Sequence, residues 1–131
     1  YEFSYNEEVT ITPRNYQFNF RNKEPITNHY AIIGMAYVAD NYPLYYDAIN
    51  EKGLGIAGLN FVGNAHYNEP QQEKDNIAQF EFIPWILSQC ATTKEAKRAH
   101  PLHYALLIQK DCQALQPFEI SHYGFRISIQ T

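Results

Sequence analysis

The sequence has few charged residues, few cysteines and no long apolar run, and each shortage excludes a class of protein. Charged residues make up 18% of the 131 positions and sum to −4 at pH 7, so no positive excess favours nucleic acid or an anionic membrane surface. The longest apolar run, residues 30–39, is about half of a membrane span, which argues against a transmembrane helix. Two cysteines do not make a disulfide framework, so we expect a cytoplasmic protein.

Apolar and aromatic residues are abundant. They account for 45% and 15% of the chain, with eleven Tyr and eight Phe. A chain of this length buries roughly two-thirds of its unfolded surface, which predicts one globular domain or part of one rather than a disordered segment.

The first sixty residues carry patterns that are typical of strands. Four strands are predicted, over residues 9–12, 30–38, 42–49 and 54–61. The second is short and apolar, so we expect it to be buried on both faces, and we expect the fourth to be a buried strand as well. Gly53 supplies the positive φ that a turn after the third strand requires. Between the first two strands, Tyr16, Phe18 and Phe20 alternate with polar residues and form one aromatic face.

The pattern changes after residue 63. A polar loop is predicted over residues 64–76, and a helix begins near Pro84. A second, short helix is capped by Thr92 or Thr93, and a further strand is predicted over residues 102–108. Strands first and helices afterwards predict an α+β domain with a layered sheet.

Candidate chemical groups are few. Five residues could be considered as metal ligands: His29, His66, His100, His103 and Cys90. They lack the close spacing that is typical of metal sites, so we expect no metal and no cofactor. A glycine-rich phosphate loop and a nucleophile elbow are both missing.

Asn60 and a group of tyrosines remain as candidates. An amide inside the apolar strand 54–61 must find hydrogen-bond partners, so Asn60 is either a structural hydrogen bonder or a donor to a developing oxyanion. Four tyrosines either line a pocket for an amphipathic ligand or, as we favour at this point, belong to the core and its rim: Tyr5, Tyr42, Tyr45 and Tyr46.

Several collinear blocks resemble one family. They are residues 1–16, 42–54, 57–61, 80–87, 89–92 and 94–97. In these blocks the chain is similar to the choloylglycine hydrolase family, in particular to bile salt hydrolases of gut Gram-positive bacteria. The resemblance covers residues 1–97, and we interpret residues 98–131 as a divergent tail, as a deletion or a frame change would produce.

The resemblance implies an N-terminal-nucleophile hydrolase with an αββα sandwich that cleaves the amide bond between a bile acid and glycine or taurine, without a cofactor. An N-terminal Cys attacks the carbonyl, and its own α-amine is the base. By the same resemblance Asn60 stabilises the oxyanion, and Tyr5 and Tyr46, each on a loop that borders the steroid pocket, contact the substrate. The whole enzyme is expected to form a homotetramer.

The chain also departs from the family pattern. The family's nucleophilic Cys lies just upstream of the position of Tyr1, and Cys90 has no free α-amine with which to replace it. The chain is therefore expected to be an incomplete piece of such an enzyme. Two alternatives stay open: a penicillin V acylase of the same family, and a non-catalytic remnant or steroid-binding module.

Overall fold

The computed structural model describes residues 6–60, 75–99, 104–107 and 125–130. Its strands are β1 (Glu8–Thr12), β2 (Ile32–Ala39), β3 (Tyr42–Asn50), β4 (Gly55–Asn60), β5 (Asp75–Ala78), β6 (Tyr104–Leu107) and β7 (Phe125–Gln130). The helices are α1 (Phe82–Gln89), which follows a 3-10 turn over Gln79–Glu81, and α2 (Thr93–Ala99). Strands β1 to β5 precede the helices, as predicted, whereas β6 and β7 follow them; the α+β class is confirmed.

Five strands form an antiparallel sheet in the order β1-β2-β3-β4-β7, and β5 and β6 form a parallel pair. Asp40 and Asn41 join β2 to β3, both with positive φ, which is the geometry of a two-residue hairpin turn. Gly53 has a φ of 85° in the turn between β3 and β4, so its predicted role is confirmed. The predicted bounds of the first three strands hold to within two residues.

Helix α1 covers one face of the sheet. Ile86 and Leu87 of the helix are fully buried, and they share a core with Ile32, Leu54 and Ile56 of the hairpins. Pro84 lies in the first turn of α1, where its missing N–H breaks no helical hydrogen bond. The predicted helix start near Pro84 is thus confirmed.

The opposite face of the sheet is uncovered in the described part of the chain. Register places Ile11 opposite Ile33, and Ile33 opposite Ile49, so their side chains share that face. The large apolar residues exposed there are Val9 (68%), Ile11 (67%), Ile33 (43%) and Ile49 (45%). The prediction that residues 30–38 are buried on both faces is therefore wrong for these residues, because α1 covers only one side.

The segment between β1 and β2 buries its aromatic face without forming a regular strand. Phe18 and Phe20 are buried, but the described segment has a single isolated β-bridge, between Phe18 and Ile26, and no regular strand. His29 links the start of the segment to the residues just before β2: its Nε2 lies 2.7 Å from the carbonyl oxygen of Tyr16 and its Nδ1 2.7 Å from that of Tyr30. The period-2 pattern thus identified a buried face.

Two further expectations concern the second half of the chain. Thr92 Oγ1 accepts the backbone N–H of Glu95 at 3.2 Å, which confirms Thr92 as the cap of α2. β6 lies inside the strand predicted over residues 102–108. β5 begins at Asp75, so the predicted polar loop over residues 64–76 is wrong for its last two positions, and its other residues lie outside the described ones. Neither described helix is long and apolar enough to cross a membrane.

Candidate active site

Strands β3 and β4 separate partway along their length. Among the described residues their ladder begins at Ile49 opposite Gly55 and ends at Asp47 opposite Ala57. Beyond that point, in the part of the chain that the structure describes, β3 pairs only with β2. The last residues of β4 pair with β7, and Asn60 lies opposite Phe125. We call this divergence the β3–β4 fork, with Tyr46 at the base of one arm and Asn60 at the end of the other.

A β-bulge lies at the base of the fork. Met35 pairs with Asp47 but the next residue, Ala36, pairs with Tyr45, so Tyr46 is the extra residue of β3. A bulge bends its strand and turns one side chain away from the regular alternation. Tyr46 is half-buried there. The loop position that the family resemblance implied for Tyr46 is wrong, because Tyr46 lies within β3.

Gly34 allows the two strands to approach each other beside the bulge. A Cβ built on Gly34 would overlap the carbonyl oxygen of Asp47 and would lie 2.6 Å from the Cβ of Ala48. No side chain fits in that space unless the strands move apart. A glycine at this position therefore holds the register of β2 and β3 next to Tyr46.

The tyrosine candidates divide between the core and the fork. Tyr45 is 4% exposed, its hydroxyl lies 2.6 Å from Thr12 Oγ1, and burial raises its pKa. Tyr42 packs against the core and edge-on against Phe18, and burial raises its pKa as well. For these two residues the interpretation as core residues is correct. Tyr5 lies outside the described residues.

Two polar clusters hold the β3–β4 turn, and neither was predicted from the sequence. Arg14 Nε donates to Glu51 Oε1 at 2.9 Å, and the Ala31 N–H donates to the same oxygen at 3.2 Å. The Arg14 hydrogen bonds lower the pKa of Glu51 to about 2. The buried Asn50 side chain bonds to four backbone groups. The sequence signal was the Asn that precedes Glu-Lys-Gly, since Asn bonds readily to the backbone of turns.

Cys90 is unsuited to nucleophilic attack. It follows the last residue of α1, is 6% exposed, and burial raises the pKa of its thiol, which disfavours the reactive thiolate. No described set of three His, Cys, Asp or Glu side chains is placed to hold a metal ion. The structure thus brings Tyr46 and Asn60 to one region of the sheet and leaves Cys90 beneath the helix layer.

The antiparallel sheet, with helices on one face and an apolar uncovered face on the other, is part of the αββα sandwich of N-terminal-nucleophile hydrolases. A sequence model of the linear amide C–N hydrolases, choloylglycine hydrolase family, matches residues 1–123. The chain belongs to this family.

Individual relatives agree with this assignment. The chain is 56% identical over 98 residues to a bile salt hydrolase/transferase of Lactiplantibacillus plantarum, and the match includes 75% of this chain. It is 42% identical over 96 residues, 72% of its length, to a conjugated bile acid hydrolase of Lactobacillus gasseri. In both matches the chain spans about 30% of the length of the relative.

Solved structures have the same fold. A variant of conjugated bile acid hydrolase from Clostridium perfringens superposes with a TM-score of 0.72 at 36% identity, over 81% of this chain and 33% of that one. Penicillin V acylase from Agrobacterium tumefaciens gives a TM-score of 0.59 at 19% identity, over 75% of this chain and 32% of that one, which indicates a common fold.

Proposed function

We propose that this chain is part of a hydrolase that cleaves the amide bond of glycine- or taurine-conjugated bile salts. The observation that supports this most strongly is the 56% identity to a bile salt hydrolase/transferase over 98 residues, which is far above the 19% identity to the penicillin V acylase. A second support is the fork, where the two described candidates from the sequence lie on the arms of one divergence.

In this proposal the reaction is acyl transfer through a cysteine at the N-terminus of the whole enzyme. The thiolate bonds to the amide carbonyl carbon while the α-amine, which titrates near about pH 8, accepts the thiol proton. The tetrahedral oxyanion then collapses, the C–N bond breaks, and the glycine or taurine amine leaves with a proton. Water hydrolyses the remaining thioester and frees the bile acid.

Asn60 is proposed as a donor to that oxyanion. It is the last residue of β4, where the strand has left β3 and pairs with β7. The backbone of a residue at a strand end is held by its pairing with the neighbouring strand. This pairing limits its motion, and a preorganised hydrogen-bond donor requires such rigidity.

Tyr46 and Tyr5 are proposed as steroid contacts. The bulge at Tyr46 turns that residue out of the regular alternation of β3, and a phenol ring offers an apolar face with a polar tip to an amphipathic ligand. The proposal for Tyr5 rests on the family resemblance.

The remaining proposals concern the whole protein. We infer a cytoplasmic enzyme of a gut bacterium that forms a homotetramer. Residues 1–97 are proposed as a partial family domain and residues 98–131 as a divergent tail, of which residues 98–123 still fall within the match to the family model. The two-cysteine composition and the relatives from Lactiplantibacillus and Lactobacillus support the cytoplasmic and bacterial parts of this proposal.

A chimera tests the function. Residues 1–97 of this chain replace the matching segment of the Lactiplantibacillus plantarum relative, so that the relative supplies its own N-terminal and C-terminal parts. We expect the chimera to release glycine from glycocholate or taurine from taurocholate, and the 131-residue chain alone to release neither. The unchanged relative and a chimera that carries Asn60→Ala are the controls.

The outcomes separate the alternatives. Hydrolysis of penicillin V in preference to both bile salts would favour the acylase. A folded chimera that cleaves none of the three substrates, but binds a bile acid in calorimetry, would favour a non-catalytic binding module.

A further inference from the structure

Glu81 is a carboxyl group in the interior of the described structure. It ends the 3-10 turn that precedes α1, and its side chain is 1% exposed. Its Oε1 accepts the backbone N–H of Arg21 at 3.0 Å, and the nearby backbone N–H of Ala78 also acts to lower the pKa of the carboxyl group. No described residue hydrogen-bonds to its other oxygen, Oε2. Oε1 therefore has a hydrogen-bond donor, whereas Oε2 is buried without one among the described residues.

The neighbouring elements offer little compensation for a negative charge. Arg21 belongs to the segment before β2, and its guanidinium lies 5.0 Å from the Phe80 ring centroid. Arg21 lowers the pKa of Glu81, but by less than burial raises it. From β3, the buried hydroxyl of Tyr42 also lacks a hydrogen-bond partner among the described residues. Helix α1 has no ionisable side chain. Burial is the largest influence, and it raises the pKa of Glu81.

An ionised carboxylate in this position would place charge on a buried oxygen that has no hydrogen-bond donor among the described residues, whereas the neutral acid avoids that cost. We propose that Glu81 is a proton-dependent lock: the folded chain holds it as the neutral acid, and loss of the proton from Oε2 to water loosens the start of α1 from β3 and from the segment around Arg21. No bond other than the Oε2–H bond changes. The lock is independent of the proposed amide hydrolysis.

The direction of the pH effect follows from this assignment. The folded state holds the Glu81 proton more tightly than the unfolded state, in which the pKa is near 4.5. The stabilising contribution is therefore fully present below pH 4.5 and is lost as pH rises through the higher pKa of the folded state. Helix α1 supplies much of the core, so an effect at its start changes the unfolding of the whole described domain.

Urea unfolding of the 131-residue chain between pH 4.5 and about pH 8 tests the lock, with Glu81→Gln as the neutral isostere. The folding equilibrium constant of wild type should fall with rising pH, by up to tenfold per pH unit for one proton, relative to that of Glu81→Gln. Glu24→Gln removes the same charge at an exposed position and should follow wild type. At about pH 8, Glu81→Gln should be at least as stable as wild type.

Three results would overturn the proposal. The first is a Glu81→Gln variant that unfolds with the same pH dependence as wild type and is less stable at about pH 8. The second is failure of Glu81→Gln to fold at any pH, because an uncharged side chain of the same shape keeps the hydrogen bond from Arg21 to Oε1. The third needs no variant to fold: an infrared spectrum of wild type at about pH 6 that lacks the carbonyl stretch of a protonated carboxyl group.

Discussion

The side-chain amide of Asn50 donates a hydrogen bond to the carbonyl oxygen of Leu87 at 2.9 Å, across 37 residues of sequence. The same nitrogen donates to the carbonyl oxygen of Cys90 at 2.8 Å, so it satisfies two acceptors at the end of α1, where helices leave carbonyl groups unpaired. Asn50 Oδ1 accepts the backbone N–H groups of Lys52 and Leu54, both at 3.1 Å. One buried side chain therefore fixes the β3–β4 turn and attaches it to the helix.

We expect Asn50→Ala to lower the free energy of unfolding by about 3 kcal/mol, because it leaves four backbone groups at a buried site without partners. Asn50→Asp should cost more, since it places a carboxylate oxygen against two carbonyl oxygens. Urea unfolding monitored by Trp85 fluorescence measures both variants. Asn22→Ala, at an exposed position, is the control and should change stability little; an equally small effect of Asn50→Ala would contradict the prediction.

Glu51 should make the chain sensitive to acid. Arg14 holds the pKa of Glu51 at about 2, below its ordinary value of 4.5, so the folded state releases this proton more readily than the unfolded state. The stabilising contribution is present above pH 4.5 and is lost as pH falls toward 2. Glu51→Gln should flatten this part of the stability profile, and Glu24→Gln should not. Identical acid unfolding curves for wild type and Glu51→Gln would show that the pair does not act in solution.

Gly34→Ala should be strongly destabilising, by about 3 kcal/mol or more, because the new methyl group would overlap the backbone of β3. Gly53→Asn is a matched contrast: Gly53 has a positive φ but open space around it, and Asn tolerates positive φ better than most residues. Thermal unfolding should place Gly34→Ala well below Gly53→Asn. The reverse order would mean that β2 and β3 are not held as closely as the structure indicates.

The uncovered face of the sheet should make the isolated chain associate. The αββα sandwich packs a second sheet against such a face, and exposed apolar patches of this kind promote aggregation. Ile11→Lys combined with Ile33→Thr should reduce self-association in light scattering without loss of the circular dichroism of the fold. The control replaces the exposed Glu8 and the half-buried Thr10, both of β1, by Gln and Ser. An equal reduction in that control would exclude the apolar face as the cause.

In the active chimera, Asn60→Ala should lower kcat much more than it raises KM. A hydrogen bond to the oxyanion strengthens as charge develops, so its loss falls on the transition state and costs about 3 kcal/mol, or a hundredfold to a thousandfold in rate. Tyr46→Ala should act mainly on KM, since a ring against the steroid binds ground state and transition state alike. Steady-state kinetics on glycocholate separate the two effects; a normal kcat in Asn60→Ala would make Asn60 a structural amide.

Local patterns determined much of the fold. Alternation in β1, the aromatic run of β3, the turn at Gly53 and the cap at Thr92 were all readable because each depends on residues close together in the chain. Asn60 and Tyr46 were candidates from the residues themselves, and the family resemblance gave each a role. The resemblance implied a loop for Tyr46, however, and the strand bulge that holds it could not be read from composition.

Tertiary structure decided the rest, because the deciding contacts join residues far apart in sequence. Asn50 was visible as part of a turn, yet only packing places α1 above it and makes its amide a buried link. The apolar run of β2 predicted burial on both faces, but how many layers cover a sheet depends on elements that the strand does not encode. Glu81 was an ordinary carboxylate in the sequence, and only the surrounding core makes its charge costly, since the energy of a charge depends on the water and donors around it.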